Sequence, residues 1–384
     1  VPDAPSTNGS PPTGSNPAGV RDDPYIGRVL DGRYAVRELV AVSAMSRVYK
    51  VTQLRSGKQF ALKILAPAAG RASAPDQVTA KERFVREATT LANLAHPNII
   101  ELVDYGVVRD CPYMVMPYLA GDTLLQVLRD RSLSPREAIH TVDEICNALA
   151  AAHERGVVHR DIKPSNVFMS EVDGEAPRVL LFDFGIAKAL DDSAELTGVD
   201  AVVGTVWYMA PEQAMGDPID ARTDIYALGA MLYRLLVGRT PFGHHRGVSV
   251  LVAHINETPP TFASFDDPPD LPPVLEWTVR RCLEKQANKR FRNIFELRKA
   301  LAVCRLALDE PELDTGLELE DGRVYASEAV AERLHGTELL TRQVPTVDPL
   351  GMSERTLILV AGAFLLVGIL SATALAIMAS TGVF

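Results

Sequence analysis

The sequence predicts an α+β chain of two lobes, a small β-rich lobe followed by a larger α-rich one, with a single transmembrane helix at the C-terminus. Three observations carry this. Short β-branched and aromatic runs crowd between residues 34 and 116. Longer stretches with helical spacing of apolar residues dominate from residue 135 to 308. Strands first and helices afterwards, within about 270 residues, are the order expected of segregated lobes. The chain then closes on a long apolar stretch without charge.

Composition narrows the function classes. Apolar residues make up 47% and charged residues 23%, which leaves enough apolar surface for an ordinary core. A net charge of −10 argues against a general nucleic-acid binder, which needs a basic surface to neutralise phosphates. Cys111, Cys146, Cys282 and Cys304 lie far apart, without metal-ligand spacing or a disulfide framework, as in a reducing cytoplasm. No apolar stretch stands near residue 1, so no secretory leader is expected.

Residues 1–23 are Pro, Gly, Ser, Thr, Asn and Asp with little to bury, and are expected to be a disordered tail. Tyr34–Val40, Arg47–Val51 and Gln59–Ile64 read as strands. Residues 65–80 are rich in Ala, Pro and Gly and read as a loop. Phe84, Ala88, Leu91 and Leu94 give Lys81–Leu94 the spacing of a helix. Strand runs return at Ile99–Tyr105 and Tyr113–Met116, joined through Gly106. Pro135–Arg155 is an amphipathic helix ending at Gly156, and two short strands, Asn166–Met169 and Val179–Phe182, follow. Helical patterns cover 222–238, 246–256, 274–284 and 293–308.

The stretch 309–355 begins acidic and reads as a linker, with a short helix around 326–340. From Thr356 onward there is no charged residue, and Leu357–Met378 is long enough to cross a bilayer, which takes roughly 20 residues. Arg342 and Arg355 precede this span and no Lys or Arg follows it, which places the N-terminal side in the cytoplasm. The expectation is a single-pass membrane protein with its lobes on the cytoplasmic side.

The chemistry concentrates in His159-Arg160-Asp161-Ile162-Lys163-Pro164-Ser165-Asn166. A carboxylate, an amine and an amide fall within six positions. Such a set suits phosphoryl transfer: Asp161 can accept the proton of an attacking hydroxyl, Lys163 can neutralise charge on the transferred group, and Asn166 can hold a metal ion on nucleotide phosphates. Further strings occur in order around it: Phe60-Ala61-Leu62-Lys63, Arg86-Glu87-Ala88, Asp183-Phe184-Gly185, and Gly204-Thr205 before Tyr208-Met209-Ala210-Pro211-Glu212. His244-His245 reads as a pair of surface residues, because neighbouring side chains in a loop seldom converge on one ion.

With these motifs in this order, residues 34–305 resemble a eukaryotic-type Ser/Thr protein kinase domain, and their wording is most similar to the bacterial branch of that family. The resemblance implies the bilobal protein-kinase fold, ATP and Mg2+ as nucleotide and ion, and protein Ser/Thr hydroxyls as substrates, with a second copy of the chain compatible as an autophosphorylation partner. It implies that Lys63 pairs with the α- and β-phosphates and is held by Glu87. Asp183 is implied to join Asn166 in holding the metal, and Phe184 to pack so as to report the active state. Met116, Pro117 and Leu119 form the hinge: the Pro117 carbonyl and the Leu119 N–H meet the adenine, so a proline there costs no needed donor. Val48 and Ala61 line one face of the base and Phe168 the other. Thr197, then Ser193, is implied as the phosphosite facing Arg160. Thr205 is implied as a partner of Asp161 and Lys163, and with Lys163 points to Ser/Thr substrates. Asp224 is implied to anchor the catalytic loop, and Glu212 to pair with Arg290.

One segment departs from the pattern. The phosphate-loop glycines fall at Ala41, Ser43 and Ser46, and none is glycine. If those backbones take φ > 0, each costs on the order of 1 kcal/mol. The departure keeps open a second reading, a membrane-anchored kinase-like module that binds partners with little or no turnover.

Overall fold

A computed structural model describes residues 23–43, 46–65, 84–86, 88–170, 177–184, 206–313, 315–321, 323–327, 330 and 333–334. Several expectations fall on other residues and lie outside the described residues: Glu87, the segment with Gly185, Ser193, Thr197 and Thr205, most of the tail, and the apolar span 357–378. Among the described residues, no helix is long and apolar enough to cross a membrane.

The first lobe is an antiparallel sheet in the order β1-β2-β3-β4-β6-β5. Its strands are β1 (Val29–Leu30), β2 (Tyr34–Val42), β3 (Ser46–Gln53), β4 (Gln59–Leu65), β5 (Asp104–Val108) and β6 (Cys111–Pro117). Period-two alternation decides its faces. In β4, Leu62 and Ile64 point into a core with Tyr34, Val36, Tyr49, Val51, Tyr113 and Val115. Ala61 and Lys63 therefore point to the opposite face. A second cluster of Leu65, Phe84, Ala88 and Met114 seats the helix of residues 84–86 and 88–92, α1, against the sheet.

The structured lobe starts upstream of Tyr34. Asp23 accepts from the Tyr49 hydroxyl and the Arg47 guanidinium, both at 2.9 Å, with its own side chain 1% exposed. Tyr25 and Leu30 join the core. The hairpin expected to turn at Gly106 turns instead at Arg109 and Asp110, both at positive φ, and residues 100–103 are not strand. Gly106 lies inside β5, where a Cβ would meet the Tyr113 hydroxyl at 2.7 Å, so the glycine makes room for a ring and not for a turn.

The second lobe contains α2 (Leu124–Asp130), α3 (Pro135–His153), α4 (Pro211–Met215), α5 (Arg222–Val237), α6 (Val248–Asn256), α7 (Pro273–Cys282) and α8 (Ile294–Asp309). The long α3 starts on a capping box: Ser134 N–H donates to Glu137 Oε2 (2.8 Å), and Glu137 N–H donates to Ser134 Oγ. Beyond it, Gly156 sits at φ +73. The helix α5 is buried along nearly its whole length. At Gly229 an added Cβ would meet Cys282 Cβ at 2.4 Å, so α5 and α7 pack at backbone distance. A three-stranded sheet, β7 (Gly121–Thr123), β8 (Val167–Ser170) and β9 (Arg178–Leu181), lies against this helical body.

Part of the stretch expected to be linker has regular structure. Glu318–Glu320 (β10) and Arg323–Tyr325 (β11) form a hairpin, and Val324 N–H donates to Glu296 Oε2 of α8 (2.7 Å).

Candidate active site

The catalytic stretch is held between two sets of constraints. From one side, the β8–β9 register pairs Val167 with Leu181, and Phe182 N–H donates to the Asn166 carbonyl (3.1 Å). The sequel to the hairpin therefore begins beside Asn166, which delivers Asp183 to the same place. From below, the buried Asp224 of α5 accepts the backbone N–H groups of His159 and Arg160, both at 2.9 Å, and contacts His153 Nε2 at 2.8 Å. A carboxylate with this many donors fixes loop backbone that would otherwise lack partners.

Arg160 and Asp183 both stand at positive φ, +63° and +60°. Such conformations cost on the order of 1–3 kcal/mol for ordinary residues and persist where the surroundings enforce them. For Arg160 the enforcement is visible. Its N–H is tied to Asp224, and its carbonyl accepts from Gln213 Nε2 at 2.8 Å. Gln213 lies in α4, 53 positions away, and sequence reasoning did not single it out.

His159 is fully buried, its Nε2 3.1 Å from the Phe182 carbonyl and its ring 4.6 Å from that of Phe184. Burial lowers its pKa, so the imidazole is neutral near pH 7. It serves as a packed hydrogen-bonding strut between the catalytic loop and Phe182–Phe184.

The reactive groups converge. Lys163 Nζ lies 2.8 Å from Asp161 Oδ2. Asn166 Nδ2 donates to the Asp161 carbonyl (2.8 Å) and to its carboxylate (3.0 Å). The Lys63 ammonium makes an ion pair with Asp183, so this β4 lysine reaches the carboxylate implied to hold the metal. Asn166 commits its amide nitrogen to Asp161, which leaves its carbonyl oxygen as the donor toward an ion. That oxygen and the Asp183 carboxylate are hard ligands suited to Mg2+.

The strand residues expected to face a nucleotide share one sheet face. The register aligns Ala41 with Val48 and Val48 with Lys63, and pairs Ala61 with Met116. Pro117 ends β6 opposite Phe60, with Leu119 two residues on. Phe168, half-buried, pairs with Thr123 and Leu180 in the lower sheet.

The departure at Ala41, Ser43 and Ser46 has a local solution. None of the three lies at positive φ, so the expected conformational penalty does not arise there. Instead Ser43 N–H donates to the Ser46 carbonyl (2.8 Å), and the two hydroxyls are 2.8 Å apart. Hydroxyl pairing closes a hairpin turn where the family pattern uses glycine.

Behind the site, Glu212 and Arg290 form a two-pronged ion pair at 2.7 and 2.8 Å. Arg290 also donates to the carbonyls of Arg222, Glu284 and Lys285, which satisfies the whole guanidinium. Burial pushes the Glu212 carboxyl up, but Arg290 and the Thr223 hydroxyl outweigh it and hold the pKa below its ordinary value.

Comparisons with known proteins converge on one family. The family described as the protein kinase domain matches residues 34–300. A probable serine/threonine-protein kinase of Corynebacterium efficiens is 36% identical over 304 residues, covering 74% of this chain and 45% of its own. The serine/threonine-protein kinase PknB of Mycobacterium leprae is 36% identical over 277 residues, covering 71% and 43%. The chain thus spans less than half the length of these two relatives. Among solved structures, the PknI kinase domain of Mycobacterium tuberculosis is 30% identical, with a TM-score of 0.56 over 72% of this chain and 97% of that one.

Proposed function

The chain belongs to the bacterial branch of the eukaryotic-type serine/threonine protein kinases, and from that premise we propose that it transfers the γ-phosphoryl group of ATP to Ser and Thr hydroxyls of proteins. The observation that carries the reading is the cluster of Asp161, Lys163 and Asn166, tied to one another and fixed from below through Asp224. In this reading Asp161 orients the substrate hydroxyl and takes its proton. Lys163 offsets charge on the transferred phosphoryl. Lys63, with Glu87 as its partner, holds the α- and β-phosphates. Asn166 and Asp183 would hold Mg2+, which would supply charge neutralisation at the phosphates. The adenine lies between Val48 and Ala61 above and Phe168 below, against the Met116–Leu119 hinge.

Label transfer from Mg·ATP to a Ser/Thr protein substrate tests this with the full chain. Transfer that falls to background in Asp161→Asn and Lys63→Ala supports it. Transfer that persists in both variants sinks it.

The proposal extends to regulation and place. Autophosphorylation on Thr197, with Ser193 next, would give Arg160 a phosphate to pair with and order the segment. Mass spectrometry after incubation with Mg·ATP decides this, and phosphate found only elsewhere contradicts it. The apolar residues 357–378 would tether the domain on the cytoplasmic side. If a chain lacking residues 356–384 stays in the membrane fraction, the span is not the anchor.

A further inference from the structure

The segment 238–247 joins α5 to α6 and carries His244 and His245 in adjacent positions. Adjacent side chains diverge in extended backbone, but this loop turns. His245 N–H donates to the Phe242 carbonyl (3.0 Å), and Gly247 stands at φ +57. The two imidazole rings come to 4.1 Å between centroids, tilted by 43°. A third group arrives from the far end of α6, whose last turn is capped by Glu257. Glu257 Oε2 lies 2.9 Å from His245 Nε2 and 3.9 Å from His244 Nε2.

One ligand atom from each of the three residues lies within 4.8 Å of the others. Ligand atoms on a tetrahedral zinc, bound at about 2.0–2.2 Å, stand roughly 3.3 Å apart. The observed 2.9 and 3.9 Å separations straddle that spacing, so small side-chain rotations close the set. Two imidazoles and a carboxylate suit zinc and neighbouring first-row divalent ions, and suit Mg2+ and Ca2+ poorly. The side chains are 58%, 25% and 45% exposed, which leaves room for water to complete the coordination shell. The nearby Lys285 ammonium is held by the carbonyls of His254 (2.7 Å) and Ala253 (3.3 Å).

We propose that His244, His245 and Glu257 form a zinc-type divalent metal site, outside the catalytic cluster, that ties the loop entering α6 to the end of the same helix. Its consequence follows from packing. Val250 and Leu251 of α6 are buried against Val206 and Met209, which lead into α4 and Gln213. An ion that pins both ends of α6 stiffens the support of that segment.

The test is a titration of the full chain, free of any polyhistidine tag, with Zn2+ against a chromogenic chelator. Excess Mg2+ is present so that the oxygens of Asn166 and Asp183 are not scored. The expected result is one zinc per chain, bound at least tenfold more weakly by His245→Asn and by Glu257→Gln. Zinc should also raise the unfolding temperature of the wild type and leave that of both variants unchanged. Wild-type unfolding temperatures for the zinc-free variants guard against misfolding as the cause. Absence of stoichiometric zinc uptake by the wild type overturns the proposal, as does undiminished uptake by a His244→Ala/His245→Ala chain.

Discussion

The loop at 159–166 and the turn at 41–48 both belong to the proposed active site, but they are secured differently. The loop is held from a distance. Asp224, 64 and 65 positions on, takes two of its N–H groups, and Gln213 takes a carbonyl. The turn is held from within, by an N–H···O bond and a hydroxyl pair between Ser43 and Ser46, three positions apart. Long-range buried charge makes the loop intolerant of change, since removing one partner leaves another desolvated. In the turn the bonds are neutral and local, with Ser43 exposed and Ser46 buried, so the loss of a hydroxyl there strands no charge.

The largest expected effect comes from the buried charge that frames the loop. Replacing Arg290 with Ala strands Glu212 next to Thr223 and should destabilise the protein by about 3–5 kcal/mol. Denaturant unfolding measures this, and a loss under about 1 kcal/mol would mean that Glu212 finds another partner. Asp224→Ala comes next. It orphans the buried N–H of His159 and the part-buried N–H of Arg160, which at ~1–3 kcal/mol for an unsatisfied buried group should lower both stability and turnover. Unchanged turnover in a folded Asp224→Ala chain would show that the loop holds its shape unaided.

A smaller and graded effect is expected with pH. Burial lowers the pKa of His159, and burial with the nearby Lys285 charge lowers that of His254 to about 3. Both imidazoles fold neutral, while the unfolded chain takes up protons below about pH 6.5. Their contribution is complete above that value and is lost as pH falls from about 6.5 toward 3 for His254. Each group contributes up to ~1.4 kcal/mol per pH unit. The lowered Glu212 carboxyl adds a loss in the same direction below its ordinary range. Unfolding midpoints measured between pH 7 and 5 should decline, and a flat profile would contradict the buried, neutral assignment.

Much of the catalytic cluster was legible because its residues are close in sequence or follow strand period. Lys63 and Ala61 share a face by alternation alone, and Asp161, Lys163 and Asn166 sit within one loop. What could not be read depends on distant or unpatterned contacts. Gln213 looks like any helical polar residue until its amide is found on the Arg160 carbonyl. Asp23 sits at the end of a polar tail, yet its carboxylate is buried under Tyr49 and Arg47. Glu257 stands 12 positions from His245, and only the fold of α6 brings them together. The acidic alternation of Glu318-Leu319-Glu320 passes for linker until Val324 reaches Glu296. At 41–46 the residue types were read correctly and their backbone was not, because the cost of replacing glycine applies only at positive φ.

The contrast between loop and turn is tested most directly by turnover and KM for ATP in two variants of the full chain. Asp161→Asn should lower turnover by about 10²–10⁴-fold with little change in KM, the loss of a general base. Ser43→Ala/Ser46→Ala should keep turnover within about threefold and raise KM by no more than about tenfold, the worth of a neutral hydrogen bond or so. The account is contradicted if Asp161→Asn retains turnover within tenfold of the wild type, or if the serine variant loses turnover as completely as the aspartate variant does.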